Sequence, residues 1–506
     1  MRVLGACLVG SEAELVTVEA RFDRRDREKT EVVVTGLPDA VIRESRGRLV
    51  CALEANGMHL PCGRLFLNLV PAARPKSGGG LDLALVLGAA VAAGHVEATG
   101  LERTIFLGEV GIDGALHAVP GGLAAALAAK KQGVDCFVAP RETSAEAAWI
   151  PGVRALAAGR LEEVVAHVAG VEGALSAAAR PDESADQPPD PSVLDEVRGQ
   201  ALGKLALAAA AAGGHGLLFV GPPGAGKSML ARRLGALCPR LSIDEQLEIT
   251  RVLSAAGRWP GGLARARPFR APHHTVSYAG LVGGGAPPSP GEITLAHCGV
   301  LFLDELPEFR REVLEALRQP IETGAILLSR AGRQLELPAR FQLVAAMNPC
   351  PCGYQGHPKI PCRCPPSQVQ RYRSRISGPL LDRIDLRVEL AAPALDELAP
   401  REARPTSLEP RGAELAERVV RARARMHERQ GGVRNADLLA DALDELAPLD
   451  AESRRLFARA TGTRVLTARG TQAVRRVART LADLADDERV DSRHIARALA
   501  LRSPLV

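Results

Sequence analysis

Aromatic residues are scarce in this chain of 506 residues, at 3% of the total, with two tryptophans and three tyrosines. That leaves few flat side chains on which unpaired bases could stack. Long apolar runs are also missing. Nothing approaches the roughly 20 uninterrupted apolar residues of a membrane-spanning helix, so no membrane partner is expected. The opening stretch MRVLGACLVGSEAE holds an apolar run too short for a secretory signal. No strong excess of one charge is present either. A net charge of +5 is mild for this length and permits nucleic acid without arguing for it. Repeats of fixed period are absent. Ten cysteines without a secretion signal point to reduced thiols or metal ligands rather than a disulfide framework, and a cytoplasmic protein is expected.

What is present begins with enough apolar residues, 46%, for large cores, and a length that suggests roughly three domains. The organising stretch is Gly221-Pro222-Pro223-Gly224-Ala225-Gly226-Lys227-Ser228. It matches the phosphate-loop pattern at every fixed position, between a short apolar strand and a helix predicted over 229–237. Glycines let successive N–H groups curl toward one point, which the helix N-terminus makes more positive. Lys227 then reaches the β- and γ-phosphates of ATP, and the Ser228 hydroxyl ligates Mg²⁺.

A second apolar strand, GVLFLDE (299–305), ends in two carboxylates. Asp304 is placed to hold Mg²⁺ through water, and Glu305 to polarise the attacking water. A third strand, FQLVAA (341–346), leads to Asn348, whose amide could orient that water. Arg383 precedes a fourth strand. It could face a neighbouring subunit's γ-phosphate, or form an ordinary surface ion pair.

Two basic stretches stand out. Residues 258–274 hold four arginines, two histidines and no acid, and residues 350–383 hold six Lys/Arg against Asp382. Both are rich in Pro and Gly, hence expected as loops, and suit either a phosphate backbone or a neighbouring subunit. Only Tyr354 and Tyr372 offer stacking platforms in the second. Cys350, Cys352, Cys362 and Cys364 form two C-x-C pairs separated by nine residues. They are either the ligands of one Zn²⁺, with His357 a substitute for one of them, or reduced thiols. Loss of the metal is expected to disorder the Cys350–Cys364 loop more than it harms the nucleotide pocket.

With these stretches in view, the sequence resembles the AAA+ ATPases, and more narrowly the ComM/YifB family of magnesium-chelatase-like proteins. The likeness rests on DEVRGQ (195–200), RPFRAPHHT (267–275), PGEIT (290–294), MNPCPCG (347–353) and ISGPLLDRID (376–385), and extends over essentially the whole chain. It implies a hexameric ring, an insertion after the second strand, and a hairpin before the Asn348 strand carrying Arg330 and Arg333. It also implies an arginine finger at Arg383, and at Arg469 the lid arginine known as sensor 2. ComM-like proteins are linked to DNA branch migration in natural transformation. DNA, single-stranded or branched, is therefore the implied partner, and a helicase or translocase the implied activity. The rivals are a chelatase-like motor, a protein-remodelling ATPase and an ATP-dependent protease.

The resemblance also divides the chain. Residues 1–172 resemble the Lon-protease fold, 173–191 form a linker, 192–398 the AAA+ core with a Cys-rich loop at 350–364, and 399–506 a helical lid. The expected fold class is thus α/β, a P-loop core with a helical lid behind a Lon-like α/β unit. The protease nucleophile and lysine positions are Gly80 and Ala124 here. Serine–lysine chemistry needs a hydroxyl and an amine, so this unit is expected to be inactive.

Overall fold

The computed structural model describes residues 1–24, 30–97, 100–181, 188–285, 289–330, 333–392, 410–463 and 467–503, except for the side chains of Arg330, Arg333 and residues 461–463. Most of the Pro-rich stretch expected to open the third unit therefore lies outside the described residues.

The first 23 residues, to which the sequence assigned no element, form a long antiparallel pair, Arg2–Val9 against Glu12–Asp23. Their alternating burial supplies one face to a core. The pair sits inside an eight-stranded mixed sheet. Gly63–Val70 and Thr30–Thr35 continue it on one side, and Thr104–Phe106, Cys136–Pro140 and Arg154–Ala158 on the other. Asp82–Ala93, apolar on every side, is buried along almost its whole length against this sheet. One correction concerns the linker. Ser176–Ala177 pairs with Arg154–Ala158 as an edge strand, so the start of 173–191 belongs to the sheet.

The second sheet is wholly parallel, in the spatial order Phe269–Arg270, Val300–Leu303, Gln342–Met347, Leu217–Val220, Leu386–Glu389. Its three middle strands are buried at every residue, as a sheet covered on both faces requires. On one face Ala201–Gly213 approaches closely through its run of alanines and is itself covered by Gly412–Gln430 and Ala468–Leu484. On the other face Leu306, Phe309, Leu314, Leu380 and Ile384 close a separate core. The helix expected after the phosphate loop is broken at Arg233 into Lys227–Arg232 and Leu234–Leu237. At that break the Arg233 guanidinium turns to the Val193 carbonyl at 2.6 Å.

The second basic stretch is not simply a loop. Pro366–Arg373 and Gly378–Asp382 are helices. Proline in a first turn costs no hydrogen bond, and Ser377 caps the second helix by accepting from Leu380 N. Ahead of the Gln342–Met347 strand, Ala325–Arg330 and Arg333–Pro338 form the expected hairpin, with Arg330 opposite Arg333 at its end.

Buried polar groups fasten the C-terminal helices to the parallel sheet. His215 lies fully buried between Asp385 Oδ2 at 2.8 Å and Thr480 Oγ1 at 2.7 Å. Arg502 donates to the carbonyls of Ile384 and Asp385 at 2.7 and 2.8 Å. The first sheet's side is joined to the second through Ile243–Ala255, where Gly121 N donates to Ser254 Oγ at 3.1 Å and Ser254 bonds the buried Glu146.

Candidate active site

Leu217–Val220 is an inner strand of the parallel sheet, between Gln342–Met347 and Leu386–Glu389, and its carboxyl end delivers Gly221–Ser228 to the side where such sheets bind ligands. Gly221 is needed for close approach, because a Cβ there would lie 2.5 Å from the Leu390 carbonyl oxygen. Gly224 and Gly226 have φ of +78° and +86°, and nothing lies within 4 Å of a Cβ built on either. The loop is an open cradle. Gln200, itself left-handed at φ +56°, ties the preceding segment to it by donating to Ala225 O at 3.0 Å and Ala391 O at 2.8 Å.

Lys227 is folded onto the loop, with its ammonium donating to Gly221 O at 2.7 Å, Pro222 O at 2.9 Å and Asn348 Oδ1 at 3.0 Å. Burial pushes its pKa down, while Asp304 and Glu305 pull it up. Ser228 Oγ donates to Asp304 Oδ2 at 2.6 Å. A hydroxyl and a carboxylate so paired, beside an open cradle and a lysine, fit Mg²⁺ and a nucleotide triphosphate. Replacing Lys227 with Ala is expected to abolish ATP hydrolysis and weaken nucleotide binding. Titration with a fluorescent ATP analogue, alongside phosphate release, checks both.

Glu305 adopts φ +51°, a left-handed conformation that a residue with a side chain adopts only at a cost of ~1–3 kcal/mol. Its N–H donates to Asp304 Oδ1 at 2.9 Å, and its side chain stays largely exposed toward the crevice. His274 stands against it, Nδ1 3.6 Å from Glu305 Oε2, stacked on His273 at 4.1 Å and edge-on to Phe309 at 6.4 Å. The sequence showed this histidine in a basic stretch and in the RPFRAPHHT run, with no role attached to it.

Arg383 and Arg469 come together on one carboxylate. Arg383 reaches Glu322 Oε1 at 2.8 Å and donates to Pro379 O at 2.7 Å, and Arg469 bonds the same Glu322 oxygen. Burial pushes the Glu322 carboxyl up, but the two guanidinium groups outweigh it and hold it below the ordinary range. Nothing in the sequence marked Glu322. The basic stretches are also partly spent inside the chain. Arg267 bonds Glu245 at 2.9 Å, Arg270 bonds Glu292 at 2.6 and 2.7 Å, and Arg375 bonds Glu308 at 2.8 Å. These arginines are committed to carboxylates that lie outside the basic runs, which is why local counting overstated the free charge.

The four cysteines converge. Cys350 Sγ lies 3.4 Å from Cys352 Sγ and 3.6 Å from Cys362 Sγ, and all four sulfurs fall within 4.8 Å of one another. His357 is not among them, since its Nδ1 accepts from the amides of Lys359 and Ile360. The cysteine loop also touches the nucleotide pocket. A Cβ on Gly353 would lie 2.7 Å from Pro223 Cδ, so the cysteine loop presses on the phosphate loop. Elsewhere, a Cβ built on Gly80 would lie 3.1 Å from Leu107 Cδ1, and Ala124 is buried. Among the described residues no helix is long and apolar enough to cross a membrane.

Comparison with known proteins gives three family matches: magnesium chelatase, subunit ChlI, over residues 193–398; subunit ChlI of Mg-chelatase over 18–143; and magnesium chelatase, subunit ChlI C-terminal, over 409–502. Competence protein ComM of Haemophilus influenzae is 38% identical over 510 residues, 98% of this chain and 96% of that protein. The YifB protein of Escherichia coli is 39% identical over 513 residues, 98% and 95%. YifB of Salmonella typhimurium is 39% identical over 483 residues, 93% and 91%.

Proposed function

Because the chain belongs to the magnesium-chelatase-like AAA+ ATPases that include ComM and YifB, we propose that it is a ring-forming ATPase that moves on DNA, branched DNA in particular. The observation that carries the DNA reading is similarity to a competence protein over nearly the full length of both chains. A hairpin whose backbone pairs Arg330 with Arg333 at its end supports it, since such an element places two basic residues at a tip suited to a phosphate backbone.

In this reading Lys227 leaves the carbonyls of Gly221 and Pro222 and the Asn348 amide oxygen and turns to the phosphates, whose full negative charge replaces three contacts to neutral oxygens. Ser228 and Asp304 would hold Mg²⁺, which would supply neutralisation of the phosphate charge. Glu305 accepts the proton of the attacking water, with His274 and Asn348 keeping the carboxylate and the water in line. Arg383 and Arg469 turn from Glu322 to a neighbouring chain's nucleotide and offset charge as the terminal bond breaks. Residues 192–398 and the helices after 410 are then the working parts. The Lon-like unit serves as a scaffold against Ile243–Ala255.

If the hairpin arginines grip phosphates, DNA should stimulate hydrolysis, binding should weaken steeply with salt, and sequence preference should be small. Replacing Arg330 and Arg333 with Ala should leave hydrolysis running while migration of a four-way junction stops. The measurement is ATP-driven unwinding of forked and four-way DNA with hydrolysis followed in parallel. Absence of DNA binding at low salt, or of any stimulation by DNA, would reject the motor and favour a chelatase-like or protein-remodelling ATPase.

A further inference from the structure

The cysteine cluster has the dimensions of a metal centre. A tetrahedral zinc with Zn–S of about 2.3 Å sets its sulfurs roughly 3.8 Å apart. Here the separations are 3.4 Å for Cys350–Cys352 and 3.6 Å for both Cys350–Cys362 and Cys352–Cys362. Backbone amides are aimed at the sulfurs. Gln355 N donates to Cys350 Sγ at 3.3 Å, Cys352 N to Cys364 Sγ at 3.4 Å, and Cys364 N to Cys362 Sγ at 3.4 Å. Amides so directed satisfy the spare lone pairs of metal-bound thiolates and fix their orientation. Three sulfurs roughly equidistant from one another suit one central cation better than a disulfide, which joins sulfurs in pairs.

The position of the cluster gives it a consequence. Cys350 is two residues beyond Asn348, whose side chain accepts from Lys227. Gly353, at φ +84° between the two cysteine pairs, lies against Pro223 of the phosphate loop so closely that even a methyl group would collide. From the other side Arg373 donates to Pro349 O at 3.2 Å and to Gln355 Oε1 at 3.0 Å, clamping the same loop to the helix Pro366–Arg373. The loop is therefore a wedge between that helix and the phosphate loop. It has few buried apolar side chains of its own to hold its shape, for only Cys350 among the four cysteines is buried.

We infer that the four thiolates bind one Zn²⁺, and that its occupancy sets the shape of the nucleotide pocket, so that metal loss lowers nucleotide affinity. This rests on Gly221–Ser228 being the nucleotide site. With zinc in place, Gly353 and Asn348 are held at fixed distances from Pro223 and Lys227. Without it, four like-charged or bulky thiols no longer share a centre, the wedge relaxes, and the phosphate loop loses one wall.

The test uses the full chain. Zinc content is measured by elemental analysis, and binding of a fluorescent ATP analogue is titrated before and after a zinc-selective chelator, then after adding zinc back. About one zinc per chain is expected. Its removal should weaken nucleotide binding about 10-fold to 100-fold, reversibly. Gly353→Ala should separate the two effects by keeping the zinc while losing nucleotide affinity, and Cys362→Ser should lose both. A chain without zinc, or one that loses zinc with nucleotide affinity unchanged, overturns the inference and leaves the ATPase reading standing. A zinc-loaded chain that binds no nucleotide sinks both.

Discussion

Glu305→Gln is expected to lower ATP turnover by about 10²–10⁴-fold, the usual contribution of a positioned base, while nucleotide affinity stays close to that of the parent. The reason lies in the division of labour on either side of residue 304. Asp304 is engaged with Ser228 Oγ at 2.6 Å and with the Glu305 amide at 2.9 Å, as a group that organises a cation should be. Glu305 has no such tie to the loop and faces the crevice, its backbone held at φ +51° so that the carboxylate points there. A glutamine keeps the shape and removes only the proton acceptor. Single-turnover hydrolysis and analogue binding, measured on the same preparation, separate the two effects. A variant hydrolysing at the parent rate would remove Glu305 from the role.

The second large effect belongs to Arg383. Its replacement by Ala is expected to cost about 10³–10⁵ in turnover, the range found when an arginine that offsets transition-state charge is lost. ATP affinity should barely change, because the group is proposed to serve the next chain's nucleotide. Arg469 shares the Glu322 oxygen with Arg383, so Arg469→Ala should fail in the same way and on the same nucleotide. Specific activity of the parent should also rise with protein concentration as rings assemble. A stable monomer with full specific activity, or Arg383→Ala turning over at the parent rate, would sink the arrangement.

Elements whose signal is local were legible in the sequence. Periodicity and breakers put a helix at 40–56, a strand at 64–70 and helices at 412–428 and 492–501, and the structure has them at Ala40–Ala55, Gly63–Val70, Gly412–Gln430 and Ser492–Ala500. The Gly221–Ser228 loop and the DE pair at 304–305 were read from residue types at fixed spacing. The misses differ in kind. Glu12–Asp23 does alternate, with Val16, Val18, Ala20 and Phe22 set between Thr17, Glu19, Arg21 and Asp23, and this signal was overlooked. Arg2–Val9, by contrast, reads as a short apolar run that only burial against Asp82–Ala93 makes central. The partners of Arg267, Arg270 and Arg383 lie 22, 22 and 61 residues away in sequence, so no window could show that these charges are already matched. Glu322 and His274 gain their meaning only from what the fold sets beside them. The cysteine loop was recognised as a cluster, but its pressure on Pro223 depends on a glycine whose φ no composition reveals.

The buried His215 bridge bears on how force would travel. Asp385 is two residues past Arg383, and Thr480 sits in the long helix Ala468–Leu484 that begins one residue before Arg469. Though residues 393–409 separate the two halves along the chain, His215 and Arg502 fasten them across it with contacts of 2.7–2.8 Å. Mechanically this is a welded joint. In the proposed ring, the C-terminal helices would act as the long arm of a lever whose short arm ends at Arg383. A tilt of those helices as one nucleotide is cleaved would be delivered as torque at the neighbouring pocket, and firing order around a ring would follow from stiffness rather than from any diffusing signal.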